Sequence, residues 1–278
     1  MAPANKHGDN SKMLPSTKKP LMILGRCILA DLGLLDAPGL CLEKRVSLDR
    51  SVTNESLLYP RESKPFGKTW EEWAALWCNW LLSLPKDVNP SLDETGQNCS
   101  QNQRDPNVWF LAGSFGNLAP IIRFCRIPNH MAILFPIIEK EDSFAEDFDL
   151  KTDAEIQLRA KEFMDRVSEL RVVVDGIKLQ GLYKYRVQSS IFDLKFPTNC
   201  VYDVQPGSTR AVCDGYWVFL RPPSRGHHEI QFSGEVTMKS NDIVTDQFRN
   251  DPLYAHMKDH IDRNISFVLD ITYNIIIG

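Results

Sequence analysis

The closing stretch ISFVLDITYNIII, residues 265–277, places Ile265, Phe267, Leu269, Ile271, Tyr273, Ile275 and Ile277 on one side of an extended chain. Seven apolar residues at a strict period of two cannot form a helical stripe, so the segment predicts a half-buried strand. Similar alternation recurs upstream. HHEIQFSGEV puts His228, Ile230 and Phe232 on one face, FDLKF does the same with Phe192, Leu194 and Phe196, and Asp175-Gly176 in VVVDGIKL suits a two-residue hairpin turn. VWFLAGSF, IIRFCRIP and HMAILFPII read as further strands, the last two without alternation, as strands buried on both faces do. Strands in runs, uninterrupted by helices, predict a mainly β fold: an antiparallel β-sandwich, jelly-roll-like, with two amphipathic helices packed on it.

The first helix is predicted over residues 69–84. Thr69 and Glu72 have capping-box spacing, Pro85 ends the segment, and Trp70, Trp73, Trp77 and Trp80 fall within an arc of roughly 80°. An interfacial membrane helix would carry Lys and Arg opposite the indoles, but Glu71, Glu72 and Asn79 are there instead. An exposed sugar-binding platform would leave a large apolar patch in water. The stripe is therefore expected to pack against a sheet. The second helix is predicted over 152–170, with Thr152 and Glu155 as its capping box and Ile156, Ala160, Phe163, Val167 and Leu170 as its apolar face.

Residues 1–66 lack a sustained period and read as a largely irregular extension, leaving 67–278 as one domain. With 43% hydrophobic residues, 278 residues suffice for a sizeable core. The apolar run after Lys18 and Lys19 is broken by Arg26 and Asp31, so no clear signal peptide is read and a cytoplasmic location is favoured. No stretch has the roughly 18 uninterrupted apolar residues of a membrane span. A formal charge of −4 supplies no basic field for nucleic acid.

Chemical motifs are sparse. The seven cysteines form no CxxC pair, and Met257 stands where a zinc protease related to His256-x-x-x-His260 would need glutamate; no metal or cofactor is expected. FGKT lacks the first glycine of a phosphate loop, and AGSFG is not GxSxG. Cys99, at the end of the polar loop SLDETGQNCSQNQ, and Cys125, in a strand, are expected to pair in an oxidising compartment, because the intervening hairpin returns the chain.

Trp73, Trp77 and Trp80, then Asp93-x-x-Gly96-x-x-Cys99, WFLAGSFG, Cys125 with Pro128, and CDGYWVFLRPPSRGHHEIQFSG occur in order. Together they resemble an uncharacterised family of bacterial and archaeal proteins, from Gly67 to the end. The resemblance implies no activity, although members of that family look exported. The sequence is read as a non-catalytic β-sandwich that binds a small molecule, glycan or protein partner, with Asp93, Asn98, Arg186 and Tyr216 as binding candidates. The alternative is a hydrolase- or lyase-type enzyme with His228 as general base and Asp214 orienting it.

Overall fold

The computed structural model describes residues 54–115, 120–146, 150–202, 204–238 and 265–278. Residues 1–53, with the apolar run after Lys19, and the His256/His260 pair lie outside them. The described chain runs α1 (Asn54–Leu57), α2 (Trp70–Leu82), β1 (Val108–Phe110), β2 (Ile121–Ile127), β3 (Ala132–Ser143) and α3 (Asp153–Met164). It continues through β4 (Val167–Val174), β5 (Ile177–Lys178), β6 (Arg186–Gln188), β7 (Phe192–Phe196), β8 (Gly207–Leu220), β9 (Gly226–Met238) and β10 (Ile265–Ile277). Two five-stranded sheets result. One has the order β1-β3-β8-β6, with β7 also on β8; the other has the order β2-β10-β9-β4-β5. The fold is β-sandwich-like, as the alternation predicts. Both sheets are mixed rather than wholly antiparallel, because β1 joins β3 and β2 joins β10 in parallel.

The sheets meet through the apolar faces that the period-two pattern selects. Phe135 of β3 packs on Phe232 of β9 with ring centroids 4.7 Å apart, and Ile271, Tyr273, Ile275 and Ile277 of β10 are buried. Asp175 and Gly176 form the predicted hairpin turn between β4 and β5, both at positive φ.

On the other side of the first sheet lies α2. Both bonds of its capping box form, since the Thr69 hydroxyl accepts from Glu72 N–H and the Glu72 carboxylate accepts from Thr69 N–H. Its four indoles are at most 5% exposed; Trp70 and Trp73 pack edge-on against Phe219 and Trp77 against Trp217 of β8, while Trp80 packs on Trp77 and on Phe110 of β1. Each indole N–H also donates to a backbone carbonyl: Trp70 to Pro60, Trp73 to Pro65, Trp77 to Leu111 and Trp80 to Gln101. The stripe is core, and it fastens loops before and after the helix. Packing begins ahead of Phe66, for Leu58 is buried and bridges Leu220 at the end of β8.

Two elements differ from expectation. The second helix stops at Met164, and Val167 and Leu170 belong to β4, paired with β9. Its β-branched run Val172-Val173-Val174 favours extended chain, and the ladder with β9 outweighs the helical spacing. Strand β2 alternates strictly, but with Arg123 inside and Phe124 outside.

Replacing Trp73 with Ala removes a fully buried indole and is expected to cost about 3–5 kcal/mol in urea unfolding, with an unchanged denaturant slope. Trp73→Phe keeps most of the volume but orphans the Pro65 carbonyl, and is expected to cost about 1–3 kcal/mol. A loss below about 1 kcal/mol for the Ala variant would contradict the core assignment.

Candidate functional site

Asp93 and Asn98 are brought together in the polar loop, where they hold the loop's own backbone. One Asp93 oxygen accepts from the Thr95 N–H and hydroxyl, and the other accepts from Asn98 N–H. Burial works against the charge, but these donors hold the Asp93 carboxyl below its ordinary range. Gly96 has φ of +90°, and a Cβ there would lie 2.3 Å from the Phe124 carbonyl oxygen, so only glycine lets the loop touch β2. Cys99 forms a disulfide with Cys125 of β2, with Cα atoms 6.1 Å apart. The buried Arg123 completes the arrangement. Its guanidinium donates to the carbonyls of Ser91, Asp93, Ala112 and Gly113 and to the Tyr273 hydroxyl. That shell of oxygens is why an arginine faces inward on β2.

Arg186, Asp214 and Tyr216 also converge. Arg186 makes a two-pronged pair with Asp214 at 2.9 and 3.0 Å, reaches Asp165 at 2.5 Å, donates to the Lys161 carbonyl of α3 and lies over the Tyr216 ring. These bonds anchor α3 to β6 and β8. His228 is elsewhere, on β9 in the other sheet. Its Nδ1 is 2.7 Å from Asp175 Oδ2 and its Nε2 is 2.9 Å from the Ser224 carbonyl oxygen. The expected His228–Asp214 contact does not form: the carboxylate beside His228 is that of Asp175, and Asp214 is engaged by Arg186 and Gln188.

A cavity of about 290 Å³ opens where the edge of β3 is uncovered. Strand β1 pairs with only Ala132–Leu134, and among the described residues no strand covers that edge farther along. Trp77 and Leu81 of α2 form one wall, Phe267 and Leu269 of β10 another, and Phe115 and Tyr202 stand at loops between them. Into this largely apolar space β3 delivers Glu139 and Glu141, two apart and therefore on one face. Gly215, opposite Glu139 across the ladder, makes room, because a Cβ there would lie 2.6 Å from the Glu139 Cβ.

The two carboxyls are poorly compensated. Glu141 is 1% exposed, and among the described residues no donor satisfies either of its oxygens, its polar neighbour being the Glu146 carboxyl; Glu139 Oε2 is likewise shut off from solvent without a described donor. Lys140, also at the cavity wall, points its ammonium to Asp142, 3.3 Å away, and Asp142 also faces Arg159 of α3. Burial pushes the Glu139 carboxyl up to about 7, against the pull of Lys140 and with added push from Asp142 and Glu146. Burial and the neighbouring Glu146 carboxyl push Glu141 well above the usual carboxylate range. The Cys78 thiol behind them is raised by burial, by Cys213 and by both glutamates. A carboxyl near neutrality, as Glu139 is, can donate a proton, accept one, or neutralise a bound charge in an apolar cavity.

Sequence reasoning misses this pair. Its trace is two acids at alternate positions, continuing a strand whose preceding residues are all apolar. No family model, curated protein or solved structure matches the chain.

The raised Glu139 pKa predicts an unusual pH response. A carboxyl held above its ordinary 4.5 stabilises the fold fully below about pH 4.5, and that stabilisation is lost as pH rises through about 7. Between about pH 4.5 and 8 the wild type should lose about 3 kcal/mol relative to Glu139→Gln, read from paired denaturation curves. Parallel pH dependences of the two proteins would contradict the assignment.

Proposed function

We propose that this protein is a non-catalytic, ligand-binding β-sandwich whose site is the cavity at the uncovered edge of β3. The observation that carries the reading is Glu141, buried to 1% exposure in a cavity of about 290 Å³, with no donor among the described residues for either oxygen and only the Glu146 carboxyl beside it. A buried polar group without a partner costs about 1–3 kcal/mol, more when charged, and a ligand donor placed there would recover that loss. Apolar walls with a few convergent polar groups are the usual make-up of small-molecule sites. A small-molecule ligand therefore accounts for the cavity better than a glycan or a protein partner does.

The enzyme alternative draws less support. A general base needs a free ring nitrogen directed at its substrate, and both nitrogens of His228 face oxygens of the protein itself. Asp93, Asn98, Arg186 and Tyr216, expected to bind a ligand directly, have contacts that fit support of the scaffold around the cavity.

The test pairs native mass spectrometry with a variant that fills the space. Protein purified without denaturation is expected to carry a small organic molecule, or to enhance the fluorescence of the apolar dye 1-aminoanthracene. Ser114→Trp, at the half-buried cavity wall, should abolish either signal while leaving the melting temperature equal or higher. A bare chain with no dye response, or a response untouched by Ser114→Trp, would overturn the reading.

A further inference from the structure

The cavity has a charge sense as well as a shape. Glu139, Glu141 and Glu146 all line it, and among the described lining residues Lys140 is the one cationic side chain, already turned to Asp142. Glu146 is held through Ser143, whose hydroxyl donates to it at 2.9 Å, so the carboxyl stays beside the opening. An anionic ligand would meet three acids. A neutral ligand would leave the glutamate oxygens to share whatever donors it brings. A protonated amine supplies up to three donors and one positive charge from a single atom, which matches the oxygens of Glu139 and Glu141 that lack a described donor. The aromatic side chains of Trp77, Phe115 and Tyr202 in the same lining suit both a cation and an apolar body.

Resting on the ligand-binding reading above, we propose that the cavity takes an organic cation: a primary amine on a compact aromatic or branched apolar body, held by Glu139 and Glu141. Binding is then coupled to proton release, because the carboxyls must ionise to meet the ammonium. The groups that set this coupling are Lys140 and Asp142 on β3, Glu146 after it, Cys78 on α2, Cys213 on β8, Tyr202 at the rim and Arg159 of α3 acting through Asp142. The elements facing the pair from β10 contribute only Phe267 and Leu269 to the lining.

Calorimetric titration of the full chain tests this with matched probes: benzylamine, 2-phenylethylamine and cyclohexylmethylamine, each against the corresponding alcohol, with phenylacetate as the anion. At least one amine is expected to bind about tenfold or more tighter than its alcohol, and phenylacetate should not bind measurably. Amine affinity should rise up to about tenfold between about pH 6 and 7, with heats that vary with buffer ionisation as protons are released. In the near-isosteric pair Glu139→Gln and Glu141→Gln, checked for retained melting behaviour, the amine should fall to the level of its alcohol. An alcohol that binds as well as its amine would overturn the charge assignment while leaving the cavity reading intact. So would an amine preference that survives in the double Gln variant, or the failure of every amine at millimolar concentration. The cavity reading itself fails only with a bare chain that also gives no dye response, or with a response insensitive to Ser114→Trp.

Discussion

Four indole N–H groups donating to four backbone carbonyls fix the geometry on which the rest of the molecule depends. Burying four tryptophans supplies several kcal/mol of apolar stabilisation, yet area alone does not set where a helix lies on a sheet. The directional bonds do that. Trp70 and Trp73 hold the segment before the helix, Trp77 holds the chain leaving β1 and Trp80 holds the polar loop. With α2 held in that register, Trp77 and Leu81 face the bare edge of β3 and close one side of the cavity.

The second constraint is Arg123. A buried guanidinium surrounded by four carbonyls and a tyrosine hydroxyl turns the polar loop, the chain after β1 and β10 toward one point. Asp93, Gly96 and Cys99 acquire distinct roles from it. Asp93 shapes the turn, Gly96 permits contact with the β2 backbone, and Cys99 locks the loop covalently to β2. Closing a loop of 26 residues adds about 3 kcal/mol in the chain-entropy description. The loop is thereby a fixed wall, and its Ser91 reaches the cavity.

Features governed by local rules were legible in the sequence. Both capping boxes, the Asp175-Gly176 turn, the inward faces of β7, β9 and β10, and the Cys99–Cys125 pairing follow from spacing and turn chemistry. Features governed by distant partners were not. Strand β2 reads as lacking alternation, whereas it alternates, with Arg123 drawn inward by the carbonyls that surround it and Phe124 left outward. Val167 and Leu170 fit a helical stripe, and only β9 draws them into a strand. Glu139 and Glu141 are not singled out by the sequence at all. Their burial comes from α2, β10 and the loops at Phe115 and Tyr202, which no spacing within β3 announces.

A cavity that keeps the Glu139 carboxyl close to neutrality is the central element of this account, and it can be observed at the atom concerned. Carbon-13 NMR of the glutamate side-chain carboxyls, with Glu139 assigned from the Glu139→Gln spectrum, reports its protonation directly. The account predicts a titration midpoint at about 7 in the ligand-free protein, well separated from the exposed glutamates. A midpoint near the ordinary value of 4.5 would mean that water or an unrecognised partner already satisfies that carboxyl, and would contradict the account.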